Sequence, residues 1–348
     1  MAYTTTDDPS AYFQTALYTG NGSTQSITND GNSDLQPDWV WIKERNNAVD
    51  HQLQDSTRGV TKTLQSNSNN GESTLTDIIT SFNSDGFSLG NNVTWNGSSD
   101  TYVAWQWKAN GGTTSSNSDG SITSTVQANT TAGFSIVTWS GNTTAGATVG
   151  HGLGVAPHYV QVKRRDRDGD AWRGFWQPLG DEKYLELNAN DAEQDSTTGA
   201  WNDTSPTSSV FSLGSAAGIN GGNMVAYCFA PIQGYSKIGS YTGNGNADGA
   251  FVYTGFKPAW IMIKQTDGTG SWAIHDAKRG TINPIDEDLF ANLNSAESDN
   301  DIEKDILSNG FKLRASHSAV NGDGNSYIYM AFAESPFVSS KGVPTTAR

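Results

Sequence analysis

The chain repeats one pattern three times, and this triplication constrains its fold more than any other feature. Each copy contains an aromatic-Thr/Ser-Gly-Asn turn, a strand led by proline, a strand containing Phe, and an apolar closing strand, in that order. The proline follows the turn glycine by 17, 16 and 15 residues, and the Phe follows the proline by 50, 54 and 53 residues. This order and spacing predict three copies of one folding unit. The landmarks are Tyr18–Asn21, Pro37–Lys43, Gly86–Leu89 and Val103–Trp107; Trp139–Asn142, Pro157–Lys163, Val210–Leu213 and Val225–Phe229; and Tyr241–Asn244, Pro258–Lys264, Gly310–Leu313 and Ile328–Phe332.

The composition places the repeated unit in the all-β class. The 348 residues include 38 Gly and 11 Trp, and only 16% of them are charged. Gly and Asn suit turns, while aromatic side chains fill sheet faces. In the first closing strand, Val103, Trp105 and Trp107 share one face, and the smaller Ala104 lies on the other. Three tandem antiparallel β-sandwiches of about 100 residues each are therefore predicted.

The predicted boundaries follow the landmarks and the Gly/Ser/Asn-rich stretches. We expect an N-terminal and a C-terminal segment that serve attachment to a partner, and a flexible linker between the first two units. The segments are an attachment arm at 1–16, sandwich repeat 1 at 17–110, the linker at 111–121, sandwich repeat 2 at 122–233, sandwich repeat 3 at 234–336 and a tail at 337–348.

Net charge and cysteine content limit the kinds of ligand and covalent link that the chain can have. The formal net charge is −15, from 36 acidic and 21 basic residues, which disfavours nucleic-acid binding through phosphate neutralisation. Cys228 is the single cysteine, so neither an intrachain disulfide nor a cysteine zinc site is expected. The N-terminal residues lack the pattern of a secretory signal, and no run reaches the length needed to span a membrane. The sequence predicts no cofactor and no membrane insertion.

Two loop tryptophans are the candidate glycan-binding residues. Trp95 and Trp201 lie in polar loops outside the repeat landmarks, where an exposed indole could stack on a sugar ring. The alternative is a loop tryptophan that folds back over its own core.

Two acidic clusters supply a candidate metal site and a candidate catalytic site. Asp166, Asp168 and Asp170 resemble the start of a calcium loop, but Ala171 and Gln177 occupy the places of its glycine and its bidentate glutamate. A hairpin turn is the alternative, and no metal site is assigned. The carboxylates of 286–288 could serve a glycosidase or form a solvated face. No catalytic residue is assigned.

Three lysines recur at the ends of the proline-led strands. We expect the stems of Lys43, Lys163 and Lys264 to cover a sheet edge while their ammonium groups reach water. Replacing one of them by Met would then change stability by less than about 1 kcal/mol, as for other surface positions.

Two segments carry a resemblance to a known group of proteins. His151–Lys163 resembles the HGLG-containing segment of phage tail-fibre and virion proteins, and Tyr241–Glu334 resembles repeats in structural proteins of marine bacteriophages, including cyanophages. The resemblance extends over roughly residues 12–337. It implies concanavalin-like, jelly-roll or lectin-like sandwiches exposed on a virion, and it carries no catalytic residues.

These observations lead to a functional hypothesis with two rivals. A non-enzymatic virion component, such as a fibre, spike or surface decoration protein, would contact other virion proteins and host-surface glycans. By analogy with fibres it would be a homo-oligomer, with a trimer favoured. The rivals are a polysaccharide depolymerase that uses Asp286 and Asp288, and a secreted carbohydrate-binding adhesin.

Overall fold

The computed structural model describes residues 2–196, 198–299 and 302–345. These residues are nearly all β, and the strands pair antiparallel in six sheets, which confirms the all-β class. The short helices are α1 (Ala217–Asn220), α2 (Ser318–Asn321) and two 3-10 turns at Pro9–Ala11 and Gln177–Leu179. Within the described ranges, no helix has the length and apolar character required to cross a membrane.

Repeat 1 forms a large sheet and a small sheet. Its strands are β1 (Phe13–Thr19), β2 (Gln25–Ile27), β3 (Trp39–Glu44), β4 (Gln52–Asp55), β5 (Lys62–Leu64), β6 (Ser73–Thr74), β7 (Ile79–Asn83), β8 (Gly86–Leu89) and β9 (Thr101–Trp107). The large sheet has the order β1-β9-β3-β4-β5-β6 and the small sheet the order β2-β8-β7. The closing strand β9 thus lies between β1 and the proline-led β3.

Repeat 2 extends the same plan by two strands at its start. Its strands are β10 (Ser115–Asn117), β11 (Ser124–Asn129), β12 (Phe134–Asn142), β13 (Ala147–Gly150), β14 (Tyr159–Arg164), β15 (Arg173–Trp176), β16 (Gly180–Glu186), β17 (Gln194–Asp195), β18 (Val210–Leu213) and β19 (Gly221–Phe229). The large sheet has the order β10-β11-β12-β19-β14-β15-β16-β17, and β13 pairs with β18.

Repeat 3 follows the plan of repeat 1. Its strands are β20 (Ser236–Thr242), β21 (Phe251–Tyr253), β22 (Phe256–Gln265), β23 (Ala273–Asp276), β24 (Leu289–Phe290), β25 (Lys304–Leu307), β26 (Gly310–Leu313) and β27 (Ser326–Pro336). The sheets have the orders β20-β27-β22-β23-β24 and β21-β26-β25. In all three repeats the closing strand is an inner strand of the large sheet, as its two-faced pattern predicts.

The structure corrects the predicted boundaries at the arm and the linker. Strand β1 begins at Phe13, inside the predicted arm, because Phe13 pairs with Trp107 of the closing strand. The predicted linker contains β10, whose Ser115 pairs with Val126. Its glycines are also held, since the Gly111 and Gly112 amides donate to Asp38 over 2.9 and 2.7 Å.

The N-terminal and C-terminal segments form hydrogen bonds with other parts of the chain and with each other. The Tyr3 hydroxyl donates to the Gly255 carbonyl over 2.8 Å, and the Thr4 hydroxyl donates to the Gln233 carbonyl over 2.7 Å. The Ser340 amide donates to the Asp7 carboxylate over 2.6 Å. The described parts of both segments are thus bound to the rest of the chain, and Met1 and residues 346–348 of the predicted arm and tail lie outside the described residues.

The inner strands of each large sheet are buried on both faces. One face packs against the small sheet of the same repeat, as where Val160 and Met224 meet Phe211 and Leu213 in repeat 2. The other face enters one apolar core to which all three repeats contribute. The repeats therefore share a core as well as having cores of their own.

A pseudo-threefold axis passes through this shared core. Trp107, Phe229 and Phe332 hold the same position in the three closing strands, and their ring centroids lie 5.5 to 6.4 Å apart in all three pairings. The surrounding side chains include Trp39, Trp105, Tyr159, Trp176 and Trp260. The bulky face of each closing strand is thus covered by the other two repeats.

Equivalent hydrogen bonds join the repeats in a closed ring. Trp172 of repeat 2 donates through Nε1 to the Gln65 carbonyl of repeat 1 over 2.8 Å, and Trp272 of repeat 3 donates to the Glu186 carbonyl of repeat 2 over 3.1 Å. At the third junction His51 Nε2 lies 2.9 Å from the Phe290 carbonyl. Because Nδ1 of this buried histidine accepts from Trp41, Nε2 carries the proton and donates.

The junction of repeats 3 and 1 contains a buried ionic network. Arg279 and Asp276 form an ion pair whose side chains are fully buried, and Trp105 of repeat 1 donates to the same carboxylate over 3.0 Å. Arg279 also contacts Glu297 at 2.8 Å. Arg45 of repeat 1 then binds Glu297 with two nitrogens.

The junction of repeats 1 and 2 contains the same network from equivalent residues. Arg58 pairs with Asp55 and lies 3.1 Å from Glu72, and Arg165 of repeat 2 contacts Glu72 at 2.7 Å. Tyr227 of repeat 2 donates to Asp55 over 2.7 Å, from the position that Trp105 holds in repeat 1.

At the junction of repeats 2 and 3 this network is replaced by apolar side chains. Trp176 and Leu179 stand where the other repeats have their Asp and Arg. The main-chain contact persists, since the Glu193 amide donates to the Thr266 carbonyl over 2.7 Å. At the other two junctions the Glu72 amide donates to the Arg165 carbonyl and the Glu297 amide to the Arg45 carbonyl. Two junctions are ionic and one is apolar around the same backbone geometry.

The three recurring lysines are buried, so the expectation that they reach water is wrong. Lys163 Nζ donates to the Asn69 carbonyl of repeat 1 over 3.0 Å and to the Asp170 carbonyl over 2.5 Å. Lys43 and Lys264 each donate to the carbonyl of the next residue, which ends the strand, and to a carbonyl of the turn that follows. Burial lowers the pKa of each of the three lysines to about 8.

We expect Lys163→Met to lower the free energy of unfolding at pH 7 by about 1–3 kcal/mol, because the buried Asp170 carbonyl and the part-buried Asn69 carbonyl lose their donor. Between pH 8 and 10.5 the unfolded chain holds more protons on Lys163 than the folded chain. The stability of the wild type relative to the variant should therefore rise across this window. Urea unfolding from pH 7 to 10.5 measures both effects. The exposed Lys341→Met is the control, and equal stability of the two variants would contradict the prediction.

Candidate functional site

The structure removes the predicted glycan-binding tryptophans from the surface. Trp95 is 8% exposed and Trp201 1% exposed. Trp95 donates through Nε1 to the Asp50 carbonyl over 3.3 Å, and Trp201 packs edge-on against Phe175 with centroids 5.9 Å apart. Both loops fold back over the core of their own repeat, so neither indole offers a face to a sugar.

Each aspartate of the calcium candidate has a partner in the protein. Asp166 pairs with Arg164 at 2.7 Å, Asp170 pairs with Arg167 at 2.6 Å, and Asp168 accepts from the Gly71 amide over 2.7 Å. Within residues 2–196, 198–299 and 302–345, no three metal-ligating side chains are grouped to hold an ion. This turn joins repeat 2 to repeat 1.

The acidic cluster of repeat 3 is divided between interior and surface. Asp288 is fully buried and accepts a hydrogen bond from His275 Nε2, whereas Asp286 is only partly buried. Burial lowers the pKa of His275 well below its usual value. Asp288 thus forms a buried polar pair and does not face solvent beside Asp286.

A pair of exposed aromatic side chains distinguishes repeat 3. Phe251 and Tyr253 of β21 are 46% and 47% exposed, while Val252 between them is buried in the core of the repeat. Because side chains alternate along a strand, both rings lie on the outer face of the small sheet. Lys312 of β26 pairs with Phe251 and shares that face.

Comparison of the repeats shows that these aromatics replace polar or small residues. Ile27, Val149 and Val252 occupy one position, since each pairs with the Phe of the Phe-containing strand. The two positions that flank this aliphatic residue hold Ser26 and Thr28 in repeat 1, Thr148 and Gly150 in repeat 2, and Phe251 and Tyr253 in repeat 3. The sequence contained this signal, but finding it required the register of the small sheets.

Tyr3 and two lysines complete this surface. The Tyr3 and Tyr253 hydroxyls lie 3.2 Å apart, which fixes the N-terminal segment beside β21. Lys237 Nζ donates to the Tyr253 carbonyl over 2.7 Å and lies 5.2 Å from the Tyr253 ring centroid. We call Tyr3, Lys237, Phe251, Tyr253 and Lys312 the aromatic platform.

The electrostatics of the aromatic platform suit a polar ligand with an apolar face. Burial lowers the pKa of Lys237 from its ordinary value, and burial followed by the contact with Tyr253 raises the pKa of Tyr3. Lys312 pairs with Asp248 at 2.6 Å, so the platform carries a positive and a negative charge beside Lys312. Ring faces beside hydroxyl and ammonium donors can stack on a ligand and bond its hydroxyl groups.

A family model matches nearly the whole chain. The chain belongs to the family described as Domain of unknown function (DUF7483), whose model matches residues 8–336. No curated protein matches the chain, and no solved structure matches it.

Proposed function

We propose that this DUF7483 protein is a non-enzymatic structural protein of a bacteriophage virion, a fibre, spike or surface decoration component, that binds a host-surface glycan. The aromatic platform of repeat 3 carries the proposal for glycan binding. The resemblance of the repeats to marine phage proteins supports the virion location. The proposal includes lectin-like or jelly-roll sandwiches, one for each repeat.

The aromatic platform has the physical properties that sugar binding requires. A pyranose ring has an apolar C–H face and a rim of hydroxyl groups. Phe251 and Tyr253 offer ring faces to the former, and Lys237 and the tyrosine hydroxyls offer hydrogen-bonding groups to the latter. Both rings sit on a paired strand with a buried Val252, so little conformational entropy is lost on binding.

The threefold arrangement bears on the proposed homo-oligomer. A fibre trimer closes its interfaces around an axis, and this chain closes three equivalent junctions within itself. A single chain therefore already has the threefold arrangement that the trimer prediction expected from three separate chains. The homotrimer stays a prediction, and sedimentation at micromolar concentration measures it.

The depolymerase is the second candidate, and the structure gives it less support. Paired acids act on a glycosidic bond only when both reach the substrate. Asp288 is directed at His275 in the interior. Reducing-end release from host polysaccharide, lost in Asp286→Asn, would favour that candidate over ours. A secreted adhesin would use the same platform without a virion.

We expect Phe251→Ala/Tyr253→Ala to lower glycan affinity at least tenfold, since each stacked ring contributes about 1 kcal/mol or more. An array of envelope polysaccharides from marine bacteria identifies the ligand, and titration of the wild type and the variant gives the ratio. Val155→Ala, at an exposed apolar position of repeat 2, is the control and should bind as the wild type does. Equal affinity of all three proteins would contradict the role of the platform.

Particle incorporation tests the virion location separately. Antibody raised against the purified protein and coupled to gold should label intact phage particles in electron micrographs. Labelling also shows whether the protein lies on the capsid or on the tail. Absence of the protein from purified particles would refute the virion proposal and leave glycan binding to be judged on the array.

A further inference from the structure

Strand β1 has an unpaired edge. The large sheet of repeat 1 begins with β1, which pairs with β9 on its other side. The Lys108 amide donates to the Tyr12 carbonyl and the Gly20 amide donates to the Asp100 carbonyl. In this register the even-numbered residues of β1 form the hydrogen-bonded pairs with β9. The backbone groups of Phe13, Thr15 and Leu17 therefore point away from β9. Among the described residues no strand pairs with them.

Repeat 2 covers the equivalent edge with a strand of its own. Strand β11 pairs antiparallel with β12, and Gln127 lies opposite Ile136. The side-chain amide of Gln127 donates to the Ser56 and Thr57 hydroxyls of repeat 1 over 2.9 and 2.8 Å. The side-chain amide of Asn129 donates to the Ala109 carbonyl over 3.1 Å. Strand β11 thus fills the space between β12 and the turn that follows β4.

The corresponding space at the junction of repeats 3 and 1 is an open cleft of about 390 Å³. The strand registers make Thr15 the equivalent of Ile136. The repeat landmarks make Ala277 and Lys278 the equivalents of Ser56 and Thr57. Glu334 corresponds to Ala109. All four of these equivalents line the cleft.

The lining of the cleft contains features that an added strand would satisfy. Thr15 Oγ1 is buried without a hydrogen-bond partner among the described residues. Phe13, Ala259 and Ala333 give the cleft an apolar floor. At its mouth Ile282 is 79% exposed, between the lining residues Thr281 and Asn283.

We propose that this cleft binds an extended segment of a partner protein, which adds antiparallel to β1 as β11 adds to β12. Main-chain bonds to Thr15 and its neighbours give the affinity, and the side chain opposite Thr15 gives the selectivity. Where repeat 1 offers two hydroxyls to Gln127, repeat 3 offers Ala277 and the ammonium of Lys278. The bound strand therefore carries an acidic residue at this position.

The ammonium of Lys278 can exchange its present partner for a carboxylate of the bound strand. It pairs with Asp30 at 2.6 Å, and the side chains of both residues are well exposed. Exposed pairs of this kind contribute little to stability, so a carboxylate on the incoming strand can replace Asp30. Tyr3 and Thr4 of the N-terminal segment lie elsewhere, against Gly255 and Gln233.

The test uses a labelled peptide with the sequence of residues 122–131 and the change Gln127→Glu, titrated into the intact chain by fluorescence anisotropy. We expect saturable binding. Thr15→Pro should weaken it at least tenfold, because it removes an outward amide while leaving the bonds to β9. Lys278→Glu should weaken it similarly, and Lys62→Glu, at a partly buried lysine of β5 that does not line the cleft, should leave it unchanged.

A charge swap separates recognition from damage to the fold. A second peptide with Gln127→Lys should bind Lys278→Glu at least tenfold more tightly than it binds the wild type. Absence of saturable binding, or equal binding of both peptides to both proteins, would overturn the proposal. Self-association of the wild type that Lys278→Glu abolishes would also overturn it, since the edge would then belong to a second copy of the chain.

Discussion

Arg279→Leu is expected to lower the free energy of unfolding by about 3–5 kcal/mol, the range found when one partner of a buried ion pair is removed. The substitution leaves Asp276 fully buried beside Trp105 without its guanidinium. Burial by itself raises the pKa of Asp276, and Arg279 holds it below its usual value. Without Arg279 the carboxylate must take up a proton or draw water into the junction.

Guanidinium chloride unfolding at pH 7 measures the loss. Arg314→Leu is the control, because Arg314 pairs with Asp305 at a partly exposed site and its loss should cost less than about 1 kcal/mol. The double variant Asp276→Asn/Arg279→Leu should recover part of the stability, since it removes the uncompensated charge. If Arg279→Leu were no less stable than Arg314→Leu, the network would contribute nothing to the junction.

The repeat landmarks predicted the strands well because strand alternation depends on local sequence. The two-faced pattern of Val103–Trp107 correctly placed β9 inside its sheet. The same pattern could not identify what covers the bulky face. Alternation reports burial, and a tryptophan buried by a neighbouring repeat has the same spacing as one buried by its own second sheet. The shared core was therefore beyond the reach of the pattern.

The predictions for individual site residues were wrong for a related reason, since residue type does not determine whether a side chain is exposed. Trp95 and Trp201 lie in polar loops, yet those loops fold inward. Lys163 lies near the end of a strand, where a lysine commonly reaches water, yet its ammonium donates to a carbonyl of repeat 1. Phe251 and Tyr253 resemble ordinary strand aromatics until the register shows which face they occupy. Each outcome depends on contacts between segments distant in sequence.

An isolated repeat 3, residues 234–336, should not fold stably as a monomer. Separation would expose Trp260, Trp272, Met330 and Phe332, which lie in the shared core. Each such side chain contributes about 1.5–3 kcal/mol when buried, so the loss of roughly 6–12 kcal/mol is comparable to the whole stability of a typical domain. Circular dichroism on heating and sedimentation velocity at micromolar concentration test this expectation.

A circular permutant provides the matched control, because it changes the connectivity and keeps every junction. The contact between Asp7 and Ser340 brings the two ends together, so a short linker can join them, and the chain can be opened between Gly112 and Thr113. This permutant should melt cooperatively near the wild-type temperature. A cooperative melt of monomeric repeat 3 at that same temperature would show that the repeat is stable without the shared core, and that the ring of junctions only arranges units that fold independently.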